Sequence, residues 1–172
     1  LVRRKDGVFT AFTRKDGLPA DGYFYDIRED RERALWITTW TSGLARYKDG
    51  RFTTFRKAHG LASDNVNALL EDRDGALWIG LVEGLTRYAN GTFTSFGEKE
   101  GLPGRGMVFT IAQQADGTLW FGTLDGLVRR KDGVFTAFTR KDGLPADGYF
   151  YDIREDRERA LWITTWTSGL AR

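Results

Sequence analysis

Few residues of this 172-residue chain have the types and spacing that catalysis or metal binding requires. There is no cysteine, which excludes disulfides and thiolate metal sites, and His59 is the single histidine. His59 stands at a loop position that Asp16, Glu100 and Asp142 fill elsewhere in the chain. A general base needs a partner that positions it, and the sequence offers none for His59. We therefore interpret His59 as a turn-capping or solvated residue, and we expect no catalytic residue and no cofactor.

One acidic stretch could in principle bind a metal ion, because Glu29, Asp30 and Glu32 lie close together in the sequence. Arginines alternate with these carboxylates at positions 28, 31 and 33. Ion pairing in solvent is the simpler interpretation of such a mixture. We expect no metal site here.

A repeated turn-plus-tryptophan element positions everything else. Its clearest copy runs from Asp72 to Gly80 and reads as strand, tight turn, strand. The tryptophan of each copy recurs at a spacing of 42 residues, at Trp36, Trp78, Trp120 and Trp162. Counted from the leucine that opens the third strand, the repeats are 1–43, 44–84, 85–126 and 127–169, with the next repeat starting at 170–172. We interpret 1–172 as a single repeat segment in which the four tryptophans pack between repeats.

Each repeat carries four short strand signals separated by glycine turns, and no segment has helical periodicity. In the second repeat the strands are expected at 65–71, 76–81, 85–88 and 92–96. Four-stranded antiparallel units of about 42 residues are typical of β-propeller blades. A β-solenoid is the alternative, although its coils usually have shorter periods and fewer hairpins. The sequence therefore predicts an all-β protein with four blade equivalents.

Composition narrows the functional classes. The 26 basic and 24 acidic residues nearly balance, so there is no charge footprint for nucleic acid. No apolar run reaches membrane-spanning length, and no signal peptide is recognisable. The chain starts at Leu1 and its one methionine is Met107, so we expect a window of a longer or processed product. The cellular compartment stays open.

Residues 127–172 repeat residues 1–46 letter for letter, whereas the two repeats between them differ. Because duplications drift, this copy indicates a recent duplication or an engineered, symmetric gene. The chain opens on the third and fourth strands of a blade and closes on the first and second, so its last blade is split between its ends. An open propeller exposes strand edges, so we expect a closed ring of eight or nine blades. Closure in trans by a homodimer, a longer parent array and a four-bladed monomer are the alternatives.

Several motifs together resemble the two-component regulator propeller repeat, which builds sensor regions of bacterial hybrid histidine kinases. They are Gly84-Leu85-Thr86-Arg87-Tyr88, the stretch 91–96, Gly101-Leu102-Pro103 and the stretch 71–80. The chain departs from the pattern at Glu32-Arg33, which replaces an Asp-Gly turn, and at Gln113-Gln114. The resemblance implies a propeller fold and a periplasmic location. It implies no ligand, because the matching residues build blades, and no kinase or DNA-binding segment is present.

The innermost strand of each blade should line the central channel, and the repeats differ there. These differences predict a ligand site at the channel mouth, although neutral drift explains them equally well. Trp40 and its copy Trp166 lie in a longer loop of one repeat type and are further candidates. The candidate ligand-facing residues are Tyr23, Tyr25, Asp26, Trp40, Asn65, Asn67, Met107 and Phe109.

Three functions remain open on the sequence alone. The first is a non-enzymatic scaffold, engineered or recently duplicated, that assembles with itself into a ring. The second is a fragment of a sensor that binds a small molecule, such as a carbohydrate. The third, a propeller enzyme related to streptogramin lyases, has the least support because His59 has no partner.

Overall fold

The computed structural model describes residues 1–19, 23–104, 106–144, 149–166 and 169–171. A hairpin comes first, formed by β1 (Val2–Lys5) and β2 (Val8–Ala11). Three four-stranded sheets follow: β3 (Phe24–Glu29), β4 (Leu35–Thr39), β5 (Leu44–Lys48) and β6 (Arg51–Phe55); β7 (Val66–Glu71), β8 (Leu77–Leu81), β9 (Leu85–Ala89) and β10 (Thr92–Phe96); and β11 (Val108–Gln113), β12 (Leu119–Thr123), β13 (Leu127–Lys131) and β14 (Val134–Phe138). A last sheet contains β15 (Phe150–Glu155), β16 (Leu161–Thr165) and β17 (Gly169–Ala171).

Every sheet is an antiparallel meander, so the predicted all-β architecture of four-stranded blades is confirmed. We call the three complete sheets blades 1, 2 and 3, and the last sheet blade 4. Short 3₁₀ turns at 14–16, 57–59, 98–100 and 140–142 follow the outermost strands and lead into the next blade. The sequence pattern did not predict these turns, because one helical turn is too short to show a periodicity.

The apolar core lies between blades rather than within them. Trp36 of blade 1 is buried against Leu61, Leu69 and Ile79 of the next repeat. Its ring centroid lies 5.2 Å from that of Tyr88. Because each blade is covered on both faces, the second strand of blade 2 is buried along its whole length. This is the packing that the continuous apolar run at 77–81 predicts.

A side-chain clamp explains why the turn before each tryptophan recurs. Asp72 is buried, and its Oδ2 accepts a hydrogen bond of 2.7 Å from Trp78 Nε1. Its Oδ1 accepts from the backbone N–H groups of Asp74 and Ala76, at 3.0 and 2.8 Å. The carboxylate thus closes the turn and orients the indole at the same time. Gln114 replaces the aspartate in blade 3, where its Oε1 accepts from Trp120 Nε1 at 2.7 Å.

Neighbouring blades are also joined by a repeated polar contact near the end of the innermost strand. The Glu71 carboxylate accepts from the backbone N–H of Arg31 in the preceding blade, with Oε2 at 3.1 Å. One repeat later, Gln113 Oε1 accepts from Arg73 N at 3.0 Å. The Glu155 carboxylate accepts from Ala115 N at 2.7 Å. This blade-to-blade contact therefore occurs three times with the same geometry.

The two ends of the described chain are incomplete blades. The β1–β2 hairpin pairs with no other strand, and blade 4 has three strands among the described residues. Repeat boundaries and ring size therefore stay predictions.

Candidate ligand site at the channel mouth

The innermost strands β3, β7, β11 and β15 lie side by side along the channel. The N-terminal halves of these strands surround a depression of about 260 Å³. One aromatic or amide side chain from each strand lines it, at equivalent repeat positions: Tyr25, Asn67, Phe109 and Tyr151. The fold thus brings four positions that are 42 residues apart in sequence into one site.

A β-bulge occurs at this position in every innermost strand. The cross-strand register shifts between Val66 and Ala68, which leaves Asn67 without a partner, and equivalent shifts flank Phe109 and Tyr151. In blade 1 the shift is wider and includes both Tyr25 and Asp26, whose N–H groups donate to Thr38 Oγ1 at 3.3 and 2.7 Å. A bulged residue leaves the ladder and re-aims its side chain. Here each bulge directs one side chain into the depression.

An exposed aromatic cluster extends from this depression across blades 3 and 4. We call it the mouth cluster; it consists of Phe109, Tyr149, Tyr151 and Trp166. The ring of Phe109 lies 5.3 Å from that of Tyr149 and 6.0 Å from that of Tyr151. Tyr151 in turn contacts Trp166 at 5.9 Å. Partly exposed rings held together in this way offer an apolar surface beside polar groups.

Charged residues on the same strands form local pairs. Asp26 Oδ2 accepts from the backbone N–H of Leu69 at 3.2 Å, and Asp26 Oδ1 lies 3.2 Å from Arg28 Nε. Asp152 and Arg154 repeat the pair on β15, with 3.1 Å between Oδ2 and Nε. Asp26 thereby ties two blades together while its partner Arg28 keeps exposed donors. The depression therefore contains both positively charged hydrogen-bond donors and negatively charged acceptors.

A larger cavity of about 560 Å³ lies farther along the channel. Its polar lining includes Glu71, Gln113 and Glu155, which are already engaged in the blade-to-blade contacts. We place the candidate ligand site at the bulges, because there each innermost strand presents a bulged side chain to one depression.

The structure brings together only part of the set that the sequence predicts. Tyr25, Asp26, Asn67 and Phe109 line the depression. Tyr23, Asn65 and Met107 precede the innermost strands, and their carbonyl groups accept from Trp40, Val82 and Leu124 of the loop after the second strand. Trp40 reaches the site through Tyr25, with ring centroids 5.7 Å apart.

Among the lining residues that were not predicted, four are charged or aromatic: Arg28, Tyr151, Asp152 and Arg154. The signal for them was present, because Tyr151 and Asp152 are the exact copies of Tyr25 and Asp26 in the duplicated segment. The arginines lie two positions farther along the same strands, on the same face.

His59 belongs to a turn, as its sequence position predicts. Its Nδ1 accepts from the backbone N–H of Arg56 at 3.0 Å. Asp16, Glu100 and Asp142 accept equivalent bonds from residues 13, 97 and 139. Within the described residues, no group of histidine and carboxylate side chains has the arrangement of a metal site. Nor does this part of the chain contain a helix long and apolar enough to cross a membrane.

Known proteins resemble this chain chiefly in fold. Its structure superimposes on the extracellular domain of a hybrid two component system from B. thetaiotaomicron with a TM-score of 0.81 at 23% identity, over 92% of this chain and 22% of that one. A second such domain from B. thetaiotaomicron gives a TM-score of 0.75 at 24% identity, over 96% and 23% of the two chains. Virginiamycin B lyase from Staphylococcus aureus gives 0.69 at 19% identity, over 96% and 59%.

The chain thus spans only a small part of each two-component domain. No curated protein sequence matches it. The two component regulator propeller profile matches at residues 60–82 and 101–125, which include the turn and tryptophan of blade 2. Over these two stretches the chain is therefore similar to the two component regulator propeller family, which is the resemblance that its sequence motifs indicate.

Proposed function

We propose that this chain is the ligand-recognising part of a sensor propeller, and that it binds a small polar molecule at the channel mouth. One observation carries the proposal: a β-bulge in each innermost strand presents a side chain to one shared depression. Bulges that re-aim side chains are frequent next to binding sites.

The chemistry of the site favours a carbohydrate. The mouth cluster supplies exposed rings, against which the apolar face of a sugar ring can stack. The Arg28 guanidinium, the Asn67 amide and the Asp152 carboxylate supply donors and acceptors for hydroxyl groups. Such a mixture of apolar surface and a few convergent polar groups is typical of small-molecule sites.

Calorimetric titration with neutral, acidic and amino sugars, as monomers and short oligomers, tests this proposal. We expect saturable binding of at least one class, weakened at least about tenfold by Tyr151→Ala through lost ring contact. Tyr23→Ala is the matched control, because Tyr23 is an exposed tyrosine outside the depression.

Two results would overturn the proposal. One is the absence of heat of binding across the whole panel, which would favour the scaffold hypothesis. The other is an equal loss of affinity in both tyrosine variants, which would place binding outside the depression.

A further inference from the structure

The turn between β9 and β10 contains the one Asn-Gly pair of this sequence, and both of its residues are exposed. Asn90 has a left-handed φ of 51° and Gly91 has one of 78°, as expected for a two-residue hairpin turn. A Cβ atom built on Gly91 would meet no atom within 4 Å beyond its chain neighbours. Among the described residues, none therefore covers the peptide group that joins the two.

The reactive groups of this pair also lack hydrogen-bond partners in the described part of the chain. The strand ladder closes the turn by pairing Thr92 with Ala89, which leaves the N–H of Gly91 unused. The side-chain amide of Asn90 has no partner among the described residues either. Strand β10 is the outermost of its sheet and pairs with β9 alone, so the hairpin can open at its turn at a low cost in free energy.

An asparagine before a glycine can lose its side-chain amide without an enzyme. The backbone nitrogen of Gly91 gives its proton to solvent and attacks Cγ of Asn90, which closes a succinimide ring. The bond from Cγ to Nδ2 breaks, and the nitrogen leaves as ammonia after taking up a proton. Water then opens the ring at Cγ, which gives aspartate, or at the backbone carbonyl, which gives isoaspartate. Glycine favours the attack because it has no Cβ atom to hinder the approach.

The other two asparagines of the chain are held in place and followed by larger residues. Asn67 Nδ2 donates to the carbonyl of Val108 at 3.0 Å, and the next residue, Ala68, is buried. Asn65 precedes the β-branched Val66, which is the first residue of β7 and is 0% exposed. A succinimide at either position would require the innermost strand to leave its packing between blades. These two residues are therefore internal references for the asparagine in the turn.

The equivalent turns of the other repeats show that the fold accepts an aspartate at this position. They contain Asp6-Gly7, Asp49-Gly50 and Asp132-Gly133. The φ angles of these aspartates are 49°, 51° and 50°, against 51° for Asn90. Conversion to aspartate therefore adds a negative charge and keeps the geometry of the turn.

The isoaspartate product differs, because it lengthens the backbone of the turn by one carbon atom. The length of the turn fixes the register in which Phe93 lies opposite Tyr88. The Phe93 ring lies 4.6 Å from that of Tyr88 and 5.2 Å from that of Phe55 in the preceding blade. A longer turn displaces Phe93 from this contact between blades.

We propose that Asn90 is a site of spontaneous deamidation in the folded protein, with water as the co-reactant. The aspartate form keeps the stability of the blade, whereas the isoaspartate form weakens the contact between blades 1 and 2. The inference concerns a surface turn and is independent of the proposed ligand site.

Peptide mapping of the folded 172-residue chain, aged in a mildly alkaline buffer, tests the proposal. Trypsin cuts after Arg87 and Lys99, so Asn90 lies in the peptide 88–99, whereas Asn65 and Asn67 share the peptide 58–73. We expect the peptide 88–99 to exchange its amide for a carboxyl group at least about tenfold faster than 58–73, because glycine leaves the attack unhindered. An unaged sample corrects for conversion during digestion.

A second sample aged in urea gives the rate in the unfolded chain and shows whether the fold protects the turn. Because the turn is exposed and lies at a sheet edge, we expect Asn90 to convert at most about tenfold more slowly in the folded chain. Stronger protection would overturn the proposal, and so would equal rates in the two peptides of the folded chain.

Urea denaturation separates the effects of the two products. The variant Asn90→Asp is the matched control, since it carries the aspartate product with a normal backbone. We expect this variant to unfold at the urea concentration of the unaged protein, and the isoaspartate fraction of the aged protein to unfold at a lower one. Equal midpoints for the isoaspartate fraction and Asn90→Asp would overturn the proposed weakening between blades.

Discussion

Asp72 shows how a single carboxylate stabilises both a turn and a blade interface. Three hydrogen bonds converge on it, from Trp78 Nε1 and from the backbone N–H groups of Asp74 and Ala76. Since the carboxylate is buried, water cannot replace these bonds if the side chain is removed. Its contribution therefore lies less in the bonds formed than in the donors that would otherwise be unsatisfied.

We predict that Asp72→Ala lowers the free energy of unfolding by about 2–4 kcal/mol, because it leaves buried donors without an acceptor. Asp74→Ala is the control, since Asp74 is exposed in the same turn, and it should cost less than about 0.5 kcal/mol. Urea denaturation followed by tryptophan fluorescence measures both. Equal losses would mean that the turn, and not the buried clamp, carries the stability.

For single residues, the sequence predicts the structural role of a side chain better than it predicts the group to which that side chain hydrogen-bonds. It predicts the turn-capping role of His59. It does not predict that the side chain six residues before each blade tryptophan accepts from the indole, as Asp72 does from Trp78 and Gln114 from Trp120, because no periodicity links the two. The sequence also indicates a departure from the usual turn at Glu32-Arg33, which replaces Asp-Gly. The structure keeps the turn there, with Arg33 at a left-handed φ of 64° where blade 2 has Gly75 at 82°. Hydrogen bonds to Asp30 impose this conformation, so the local sequence signal is overridden.

At the level of strands, two neighbouring blades approach each other closely at Gly122 of β12. A Cβ atom built there would lie 2.7 Å from Phe150 Cβ and 2.7 Å from Thr110 Cγ2. Phe150 is the first residue of β15, so Gly122 sets how near the innermost strand of blade 4 can come. Gly80 has the same relation to Val108, with 2.8 Å to Cγ1.

We predict that Gly122→Ala destabilises the protein by about 1–3 kcal/mol, because the added methyl group forces the two blades apart. Gly97→Ala is the matched control. Its φ is −143°, and the nearest atom to a built Cβ is 3.9 Å away. Chemical denaturation gives the free energy of unfolding of both variants. An equal loss in both would show that the flexibility of glycine, and not the contact between blades, determines the effect at Gly122.

Strands were the best-predicted elements, and bulges the worst. Glycine turns at regular spacing mark where strands begin and end, which is why most of the predicted limits lie within one residue of those observed. The bulges give no such signal, because the innermost strands are apolar or mixed on both faces and a register shift leaves no trace in their pattern. The shape of the candidate site, which depends on the bulges, therefore could not be predicted.

For the molecule as a whole, we expect the folding stability to be sensitive to low pH. The pKa of Asp116 is lowered to about 2, first by the backbone N–H and hydroxyl of Thr118 and then by the Lys131 ammonium. The pKa values of Asp16 and Asp142 are lowered by bonds from Thr13 and Thr139, and that of Glu32 by Lys48. Carboxylates whose pKa is lowered on folding stabilise the protein only while ionised.

We predict that stability is nearly constant from pH 7 to 5 and falls as the pH drops from the ordinary aspartate value of 3.8 toward about 2. The sign follows from linkage, because the unfolded chain takes up protons before the folded one. Urea midpoints measured at each pH test this, and Asp116→Asn should flatten the profile. A profile unchanged between pH 4 and 2 would contradict the prediction.

For the whole molecule, the sequence is sufficient to predict the type of blade but not the number of blades in the ring. Blade type follows from local patterns that recur in each repeat, such as the tryptophans at 42-residue intervals. Ring size depends on the angle between blades, which is fixed by close contacts such as Gly122 against Phe150, and these are not visible in a linear pattern.

The bulge in each innermost strand has a consequence for how this protein can change. The bulged residue has no cross-strand partner, so its identity is not tied to the packing of the blade. Within this chain that position holds Tyr25, Asn67, Phe109 and Tyr151, while the tryptophan eleven residues later is invariant. Each blade therefore has one channel-facing position at which the residue can vary while the rest of the blade stays constant. Copying and reordering blades changes the set of side chains at this position. The 46-residue duplication is a rearrangement of this kind, because it adds a second Tyr-Asp pair to the channel without altering a single structural residue.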